Sequence, residues 1–126
     1  MIILGIETSC DETAISIIEA TGSLKKPNIK VLGNSVLSQV KIHEKYGGVF
    51  PMLAKREHGK NLVPILENTL SQAGLLKFQK KDISKSDIKN IKKTLSKEKE
   101  LLPLFLKSIP KIKPTKIDYI AVTNGP

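Results

Sequence analysis

Hydrophobic and polar positions at the start of the chain follow strand patterns. Residues 2–7 (IILGIE) form a short apolar run and residues 13–19 (TAISIIE) alternate loosely, which is typical of two strands. The polar string TSCDE between them predicts a turn. A polar loop is predicted at residues 21–28 and a third strand at residues 30–38. Together these segments predict an antiparallel meander.

The middle of the chain predicts a long helix that follows a glycine turn. The paired glycines at 47–48 permit backbone angles that other residues avoid, so they indicate a sharp turn. From Pro51, a suitable first helical residue, apolar side chains recur at helical spacing until Gly74. Pro64 lies inside this pattern, which predicts a kink or a break near Asn61.

The last third of the chain predicts a second helix and a final strand. A helical pattern occupies residues 82–107, with Ser84 or Ser86 as candidate caps and with prolines near its end. Residues 117–126 (IDYIAVTNGP) predict a buried strand that ends in turn residues. A strand that follows a helix normally completes a parallel crossover, and ligands of open α/β sheets bind beyond the carboxyl ends of such strands.

Composition and charge narrow the classes of function. A chain of 126 residues fits one modest domain. The single cysteine cannot form an internal disulfide, and no apolar run approaches the roughly 20 residues that cross a bilayer, so a cytoplasmic location and no membrane partner are predicted. The net charge of +9 falls wholly within residues 77–116, which hold thirteen lysines and four acids. This lysine-rich segment could follow a nucleic-acid backbone or be a solvated insertion.

The polar string between the first two strands carries the candidate chemistry. Asp11 and Glu12 could orient a polar substrate, position a cation through water or accept a proton, and Ser9 could face a phosphate. A solvated turn capped by its own side chains would explain the same residues. Cys10 is poorly placed as a nucleophile, because neighbouring negative charge disfavours the thiolate, and it is expected to be a small packed residue.

The two histidines lack the spacing of a metal-binding pair. His43 and His58 lie fifteen positions apart, with no HxxxH or HExxH pattern that would place them on one helical face. No metal site built from this chain alone is predicted. Because His58 has helical spacing from Ala54 and Leu62, it is expected to lie in the core or in a polar network.

Three stretches of the chain form a more specific pattern. They are LGIETSCDETAISI at 4–17, YGGVFPMLAKREHGKNLVPILE at 46–67 and DYIAVTNGP at 118–126. In order and content they resemble the amino-terminal part of the tRNA threonylcarbamoyladenosine transferase family, TsaD. The SCDET string and the GGV-x-P-x-LA-x-R-x-H pattern carry most of the resemblance.

The resemblance implies an α/β fold of the actin-like ATPase, or ribonuclease H-like, type. Residues 1–126 would form a partial first lobe with an antiparallel meander, a long helix and a parallel strand, interrupted by a lysine-rich insertion at about 77–116. The family transfers a threonylcarbamoyl group from threonylcarbamoyl-adenylate to N6 of the adenosine beside the anticodon, in tRNAs that read codons starting with A. The implied partners are tRNA, the adenylate, a TsaB-like paralogue and an accessory ATPase. The implied cofactor is one divalent metal, iron or zinc, whose HxxxH ligands are not in this chain.

Matched position by position, the resemblance also implies roles for individual residues. Asp11 and Glu12 would be catalytic and would orient the adenylate and the attacking amine, and Ser9 would bind on the phosphate side of the same loop. Gly125 and Pro126 match the start of the GPG loop of the family, which implies nucleotide binding at Gly125.

Three residues match the start of the long helix of the family. For Lys55, Arg56 and His58 the match implies a structural or tRNA-facing role. The chain alone is expected to be inactive, because it would supply only one wall of a cleft between two lobes. Two alternatives stay open: a non-catalytic module that binds a TsaB-like partner or tRNA, and a fragment of an actin-like ATPase or kinase.

Overall fold

The computed structural model describes residues 1–80 and 83–125, and in them a mixed sheet of four strands packs against helices. The strands are β1 (Ile2–Glu7), β2 (Glu12–Ser23), β3 (Lys26–Ser38) and β4 (Tyr119–Val122). They lie in the order β3-β2-β1-β4, with β1 and β3 antiparallel to β2 and with β4 parallel to β1. The predicted α/β fold, with a meander followed by a parallel strand, is confirmed at this level.

The helices are α1 (Val40–His43), α2 (Pro51–Gln72), α3 (Lys85–Thr94) and α4 (Leu101–Ser108). Helix α2 is not divided near Asn61, although Pro64 lies inside it. Val63 and Ile65, on either side of Pro64, are buried. Their packing keeps the helix continuous at Pro64, where the backbone hydrogen bond is missing. In the described part of the chain no helix is both long and apolar enough to span a bilayer.

The core lies between the sheet and α2. Leu4 of β1 pairs with Ile17 of β2, and both side chains point to the face that α2 covers together with Ile15. Ile65 and Leu70 of α2 pack against them. The alternation along β2 is the pattern that predicted that strand, whereas β1 was predicted from its short apolar run.

The hairpin between β2 and β3 corrects one prediction. The loop expected at residues 21–28 is wrong, because β2 continues to Ser23 and β3 begins at Lys26. Gly22, with φ of 85°, pairs with Pro27 across the hairpin. Proline is tolerated at this position because β3 is an edge strand. The hydrogen-bonded pairing of β2 with β3 therefore continues through residues whose composition favours a turn.

The lysine-rich segment contains two helices where one helical pattern was expected at 82–107. Helices α3 and α4 are joined by residues 95–100. Ser84, one of the two predicted caps, is the cap of α3: its hydroxyl accepts a hydrogen bond from the backbone N–H of Asp87 at 3.0 Å. Pro103 lies in the first turn of α4, where a missing N–H breaks no intrahelical bond.

Strand β4 is exposed, and the expectation of a buried strand is wrong. Ile120 and Val122 are each 64% exposed. β4 lies at the edge of the sheet, and the described residues do not cover either of its faces. The apolar composition of β4 therefore does not correspond to burial within this chain.

Candidate functional site

The loop between β1 and β2 (residues 8–11, called the β1–β2 loop below) adjoins the residues that follow β4. Because β1 and β4 are parallel neighbours, the segments after both strands meet at one edge of the sheet. The backbone N–H of Thr8 donates to the hydroxyl of Thr123 at 3.2 Å, and the N–H of Thr123 donates to the carbonyl of Ile6 at 3.1 Å. These bonds join the two segments directly.

A cavity of about 610 Å³ opens beside this edge. Three parts of the chain besides the β1–β2 loop contribute to its wall, and its lining includes Thr8, Cys10, Lys55, Glu98, Leu101 and Gly125. Most of the lining is apolar, with a few polar groups, which is the usual form of a small-molecule site. The predicted nucleotide-binding residue Gly125 therefore lies at this cavity, whereas Ser9, Asp11 and Glu12 do not line it.

Ser9 is bound to the end of β1. Both its hydroxyl and its backbone N–H donate to the carboxylate of Glu7, the N–H at 2.7 Å. The hydroxyl of Ser9, and to a smaller extent its backbone N–H, hold the pKa of Glu7 below its ordinary value. The resulting stabilisation is present above the ordinary pKa of a glutamate and is lost as the pH falls through the lowered value. Ser9 would have to release Glu7 before it could donate to a phosphate.

The two predicted catalytic carboxylates are held differently. The backbone carbonyl of Asp11 accepts the N–H of Gln39 at 2.7 Å, while its carboxylate has no hydrogen-bond or ion-pair partner within residues 1–80 and 83–125. Glu12 begins β2, and its carboxylate accepts the hydroxyl of Ser38 at 3.2 Å. Asp11 is thus positioned through its backbone, and its carboxylate is unengaged among the described residues.

His58 of α2 holds the β1–β2 loop in an uncommon conformation. Its Nε2 lies 3.2 Å from the carbonyl oxygen of Cys10 and must donate to it, because a carbonyl only accepts. Its Nδ1 then accepts from the hydroxyl of Thr13 at 2.8 Å and from the side-chain amide of Gln39 at 3.3 Å. Cys10 has φ of 49°, in the left-handed region that non-glycine residues seldom occupy. It is also exposed, so the expectation of a packed residue is wrong.

The hydrogen bonds of His58 extend into a buried network. Gln39 is completely buried, and its side-chain oxygen accepts Nε2–H of His43 at 3.1 Å. Nδ1 of His43 accepts the backbone N–H of Phe50 at 3.3 Å. The network therefore links the β1–β2 loop to the start of α2, and the prediction of a polar network for His58 is confirmed. Gln39 and His43 were missed, because no motif marks them in the sequence.

Replacing His58 by alanine should destabilise the protein and loosen the β1–β2 loop. The substitution leaves the buried amide of Gln39 without one partner, so we expect the free energy of unfolding to fall by about 1–3 kcal/mol in urea denaturation. Amide hydrogen exchange at residues 9–11 should accelerate. Ser71→Ala, at an exposed position of the same helix, should change the stability by less than about 0.5 kcal/mol. Unchanged exchange in the His58 variant would contradict the assigned role.

Lys55 and Arg56 face the lysine-rich segment. The Nζ of Lys55 lies 3.2 Å from a carboxylate oxygen of Glu98, and the Nε of Arg56 lies 3.6 Å from one of Glu100. A Cβ added at Gly59 would lie 3.2 Å from the Cβ of Glu100, so the residues before α4 approach α2 closely there. All four charged side chains are more than a third exposed, so each ion pair contributes little stability.

The divalent metal implied by the resemblance does not fit a site built from these residues. In the described ranges 1–80 and 83–125, no three His, Cys, Asp or Glu side chains come together in a way that could hold a metal ion. Both ring nitrogens of His43 and of His58 bind protein groups. Pro126, predicted to open the GPG loop with Gly125, lies outside the described residues.

The N-terminal part of the chain is similar in sequence to known proteins. The model of the family described as TsaD, tRNA N6-adenosine threonylcarbamoyltransferase, matches residues 30–91. A protein of that name from Persephonella marina is 49% identical over 75 residues, which are 60% of this chain and 20% of the relative. Those from Fusobacterium nucleatum and Thermosipho melanesiensis are 47% and 49% identical over 73 residues, 58% of this chain and 19% and 20% of the relatives. The chain spans about a fifth of the length of the curated relatives it matches.

Proposed function

We propose that the chain is part of a tRNA N6-adenosine threonylcarbamoyltransferase, because the model of that family matches residues 30–91 and a relative of that name is 49% identical over 75 residues. The reaction would carry a threonylcarbamoyl group from threonylcarbamoyl-adenylate to N6 of the adenosine beside the anticodon, in tRNAs that read codons starting with A. The observation that carries this proposal is the family match over residues 30–91, which include Gln39, His43, Lys55 and His58 of the site.

In this proposal the carboxylates of Asp11, which ends the β1–β2 loop, and of Glu12, which begins β2, act on the attacking amine. N6 of adenosine forms a bond to the carbamoyl carbon while the bond from that carbon to the phosphate oxygen breaks, and AMP leaves. The amine must lose a proton in this step, and a carboxylate within hydrogen-bond reach can accept it. Asp11 suits this role because its carboxylate is unengaged in the described residues, and Glu12 would orient the substrate beside it.

The adenylate would enter through the cavity beside the same edge. Gly125 has φ of 102°, and the space where a Cβ would be added is open, so a phosphate can approach its backbone closely. Apolar wall residues such as Ala54, Leu62 and Leu101 suit the flat face of an adenine. We propose that the actin-like fold and the second wall of the cleft are completed by sequence like the further four fifths of the relatives. The divalent metal, the TsaB-like paralogue and the accessory ATPase would act with that complete enzyme.

A transfer assay tests the proposal. The 126-residue chain is compared with a chimera in which the rest of the Persephonella marina relative follows it, each supplied with the paralogue, the accessory ATPase, tRNA and labelled threonylcarbamoyl-adenylate. We expect the chimera to label the tRNA and release AMP, and the chain alone to do neither. A folded chimera that transfers no label would overturn the proposal. Transfer by the chain alone would overturn the expectation that the chain is inactive by itself.

A further inference from the structure

We propose that α3 and the residues around it in the lysine-rich segment form a surface that binds the phosphate backbone of RNA. The identity of that RNA as tRNA rests on the proposed function. The whole excess charge of the chain, +9, lies in this segment of residues 77–116. What distinguishes it from a solvated insertion is the way the structure separates its acids from its lysines.

The acids of the segment that the structure describes are engaged within the protein. Glu98 and Glu100 face Lys55 and Arg56 of α2, at 3.2 and 3.6 Å. Asp87 accepts the hydroxyl of Ser84 at 2.7 Å in the cap of α3. Three of the four acids therefore point toward protein groups, and the fourth lies outside the described residues.

The lysines of α3 point the other way. They recur at spacings of four, three and one residues, which places them on one side of a helix, and all are exposed: Lys85, Lys89, Lys92 and Lys93. None of them forms an ion pair within residues 1–80 and 83–125. Ile88, Ile91 and Leu95 lie half-buried on the adjacent side of the same helical pattern. Helix α3 thus presents to solvent a row of ammonium groups that have no ion-pair partner among the described residues.

This surface is attached to the candidate site. Glu98 and Leu101, which follow α3, line the cavity beside the β1–β2 loop. Another cluster of lysines, at residues 25, 26 and 30, lies at the hairpin of β2 and β3, which is the opposite end of β2 from that loop. An RNA held on α3 would have its backbone near the cavity, whereas one held on the hairpin would not.

The chemistry of the row favours phosphates of an RNA backbone. Ammonium groups on flexible stems act as point charges and carry no information about base sequence. The aromatic side chains of the segment, Phe78 and Phe105, do not form a stacking series of the kind that binds unpaired bases. The expected binding is therefore strongly dependent on salt and nearly independent of sequence, and it would position a tRNA whose reactive base is recognised elsewhere.

The test measures tRNA binding by fluorescence anisotropy over a series of salt concentrations. The chain is compared with Lys85→Ala/Lys89→Ala/Lys92→Ala and with a control of equal charge change, Lys25→Ala/Lys26→Ala/Lys30→Ala. We expect the α3 variant to bind roughly tenfold more weakly at low salt and its slope of log affinity against log salt to fall by about 2–3 units. The hairpin variant should keep both values. Lys85→Arg/Lys89→Arg/Lys92→Arg should bind as the unchanged chain does, which shows that charge and not folding is responsible.

Equal losses in the two alanine variants, or no loss in either, would overturn the assignment of α3. Equal competition by polyglutamate and by RNA would overturn the choice of RNA over an acidic protein.

The chimera of the transfer assay separates this proposal from the proposed function. If the chimera modifies tRNA equally well with and without the α3 lysines, the surface is wrong and the function stands. If it binds tRNA through α3 and transfers nothing, the surface stands and the function is wrong.

Discussion

Replacing Ile17 by alanine should lower the free energy of unfolding by about 2–5 kcal/mol. Ile17 is 0% exposed and packs between β1 and α2, beside Ile65 and Leu70. The substitution removes buried carbon atoms and leaves a cavity. Helix α2 cannot move to close this cavity, because α2 already contacts β3: a Cβ added at Gly33 of β3 would lie 2.5 Å from the carbonyl oxygen of Thr69 of α2. Urea denaturation measures the loss as a lower midpoint at an unchanged slope.

Ile29→Ala is the matched control for this prediction. It makes the same chemical change in the neighbouring strand β3, but Ile29 is 58% exposed. We expect a loss below about 1 kcal/mol, set by the strand preference of isoleucine. Equal losses at the two positions would show that the sheet face bearing Ile17 is not the core.

The elements that the sequence predicted well are those whose side chains alternate between core and solvent. Thr13, Ile15 and Ile17 are buried at every second position of β2, and the apolar positions of α2 face the same core. The spacing of apolar residues along the chain is enough to predict such an element, so neither the partner strand nor the tertiary contact has to be known. The meander and the long helix could therefore be predicted from composition and spacing alone.

The errors lie where the state of a residue depends on its neighbours across the sheet. Gly22 and Pro27 have turn-forming side chains, yet they pair with each other because the ladder on either side continues. Ile120 and Val122 have the composition of a buried strand, and their burial would depend on a layer that the described residues do not supply. Local preference does not determine either outcome.

The candidate site was predictable only as a loop. TSCDE indicates a turn, and the resemblance attaches chemistry to Asp11 and Glu12. The contacts that shape the loop join residues far apart in the chain, since His58 reaches Thr13 across 45 positions and Cys10 across 48. Similarly, the charge of the lysine-rich segment can be counted from the sequence, but the ion pair of Glu98 with Lys55 of α2 cannot be predicted from it.

Replacing Asp11 by asparagine should reduce threonylcarbamoyl transfer by the chimera at least about 100-fold, the lower end of the usual contribution of a proton acceptor. The variant removes the charge and the basic oxygen but keeps the shape of the side chain. The backbone carbonyl of Asp11 still accepts from Gln39, so we expect the fold to be unchanged. The loss should fall on kcat, because proton transfer occurs only as the new bond forms.

Glu12→Gln separates orientation from proton transfer in the same assay. A glutamine oxygen can still accept from Ser38, so the strand pairing at the start of β2 is preserved. If Glu12 orients the substrate, its variant should mainly raise KM, in contrast to the Asp11 variant. Glu19→Gln is the control, because it makes the same change about 24 Å along β2, seven residues away, and should leave both constants unchanged. Transfer at the unchanged rate by the Asp11 variant would remove Asp11 from the reaction, and the β1–β2 loop would then act only as a wall of the cavity.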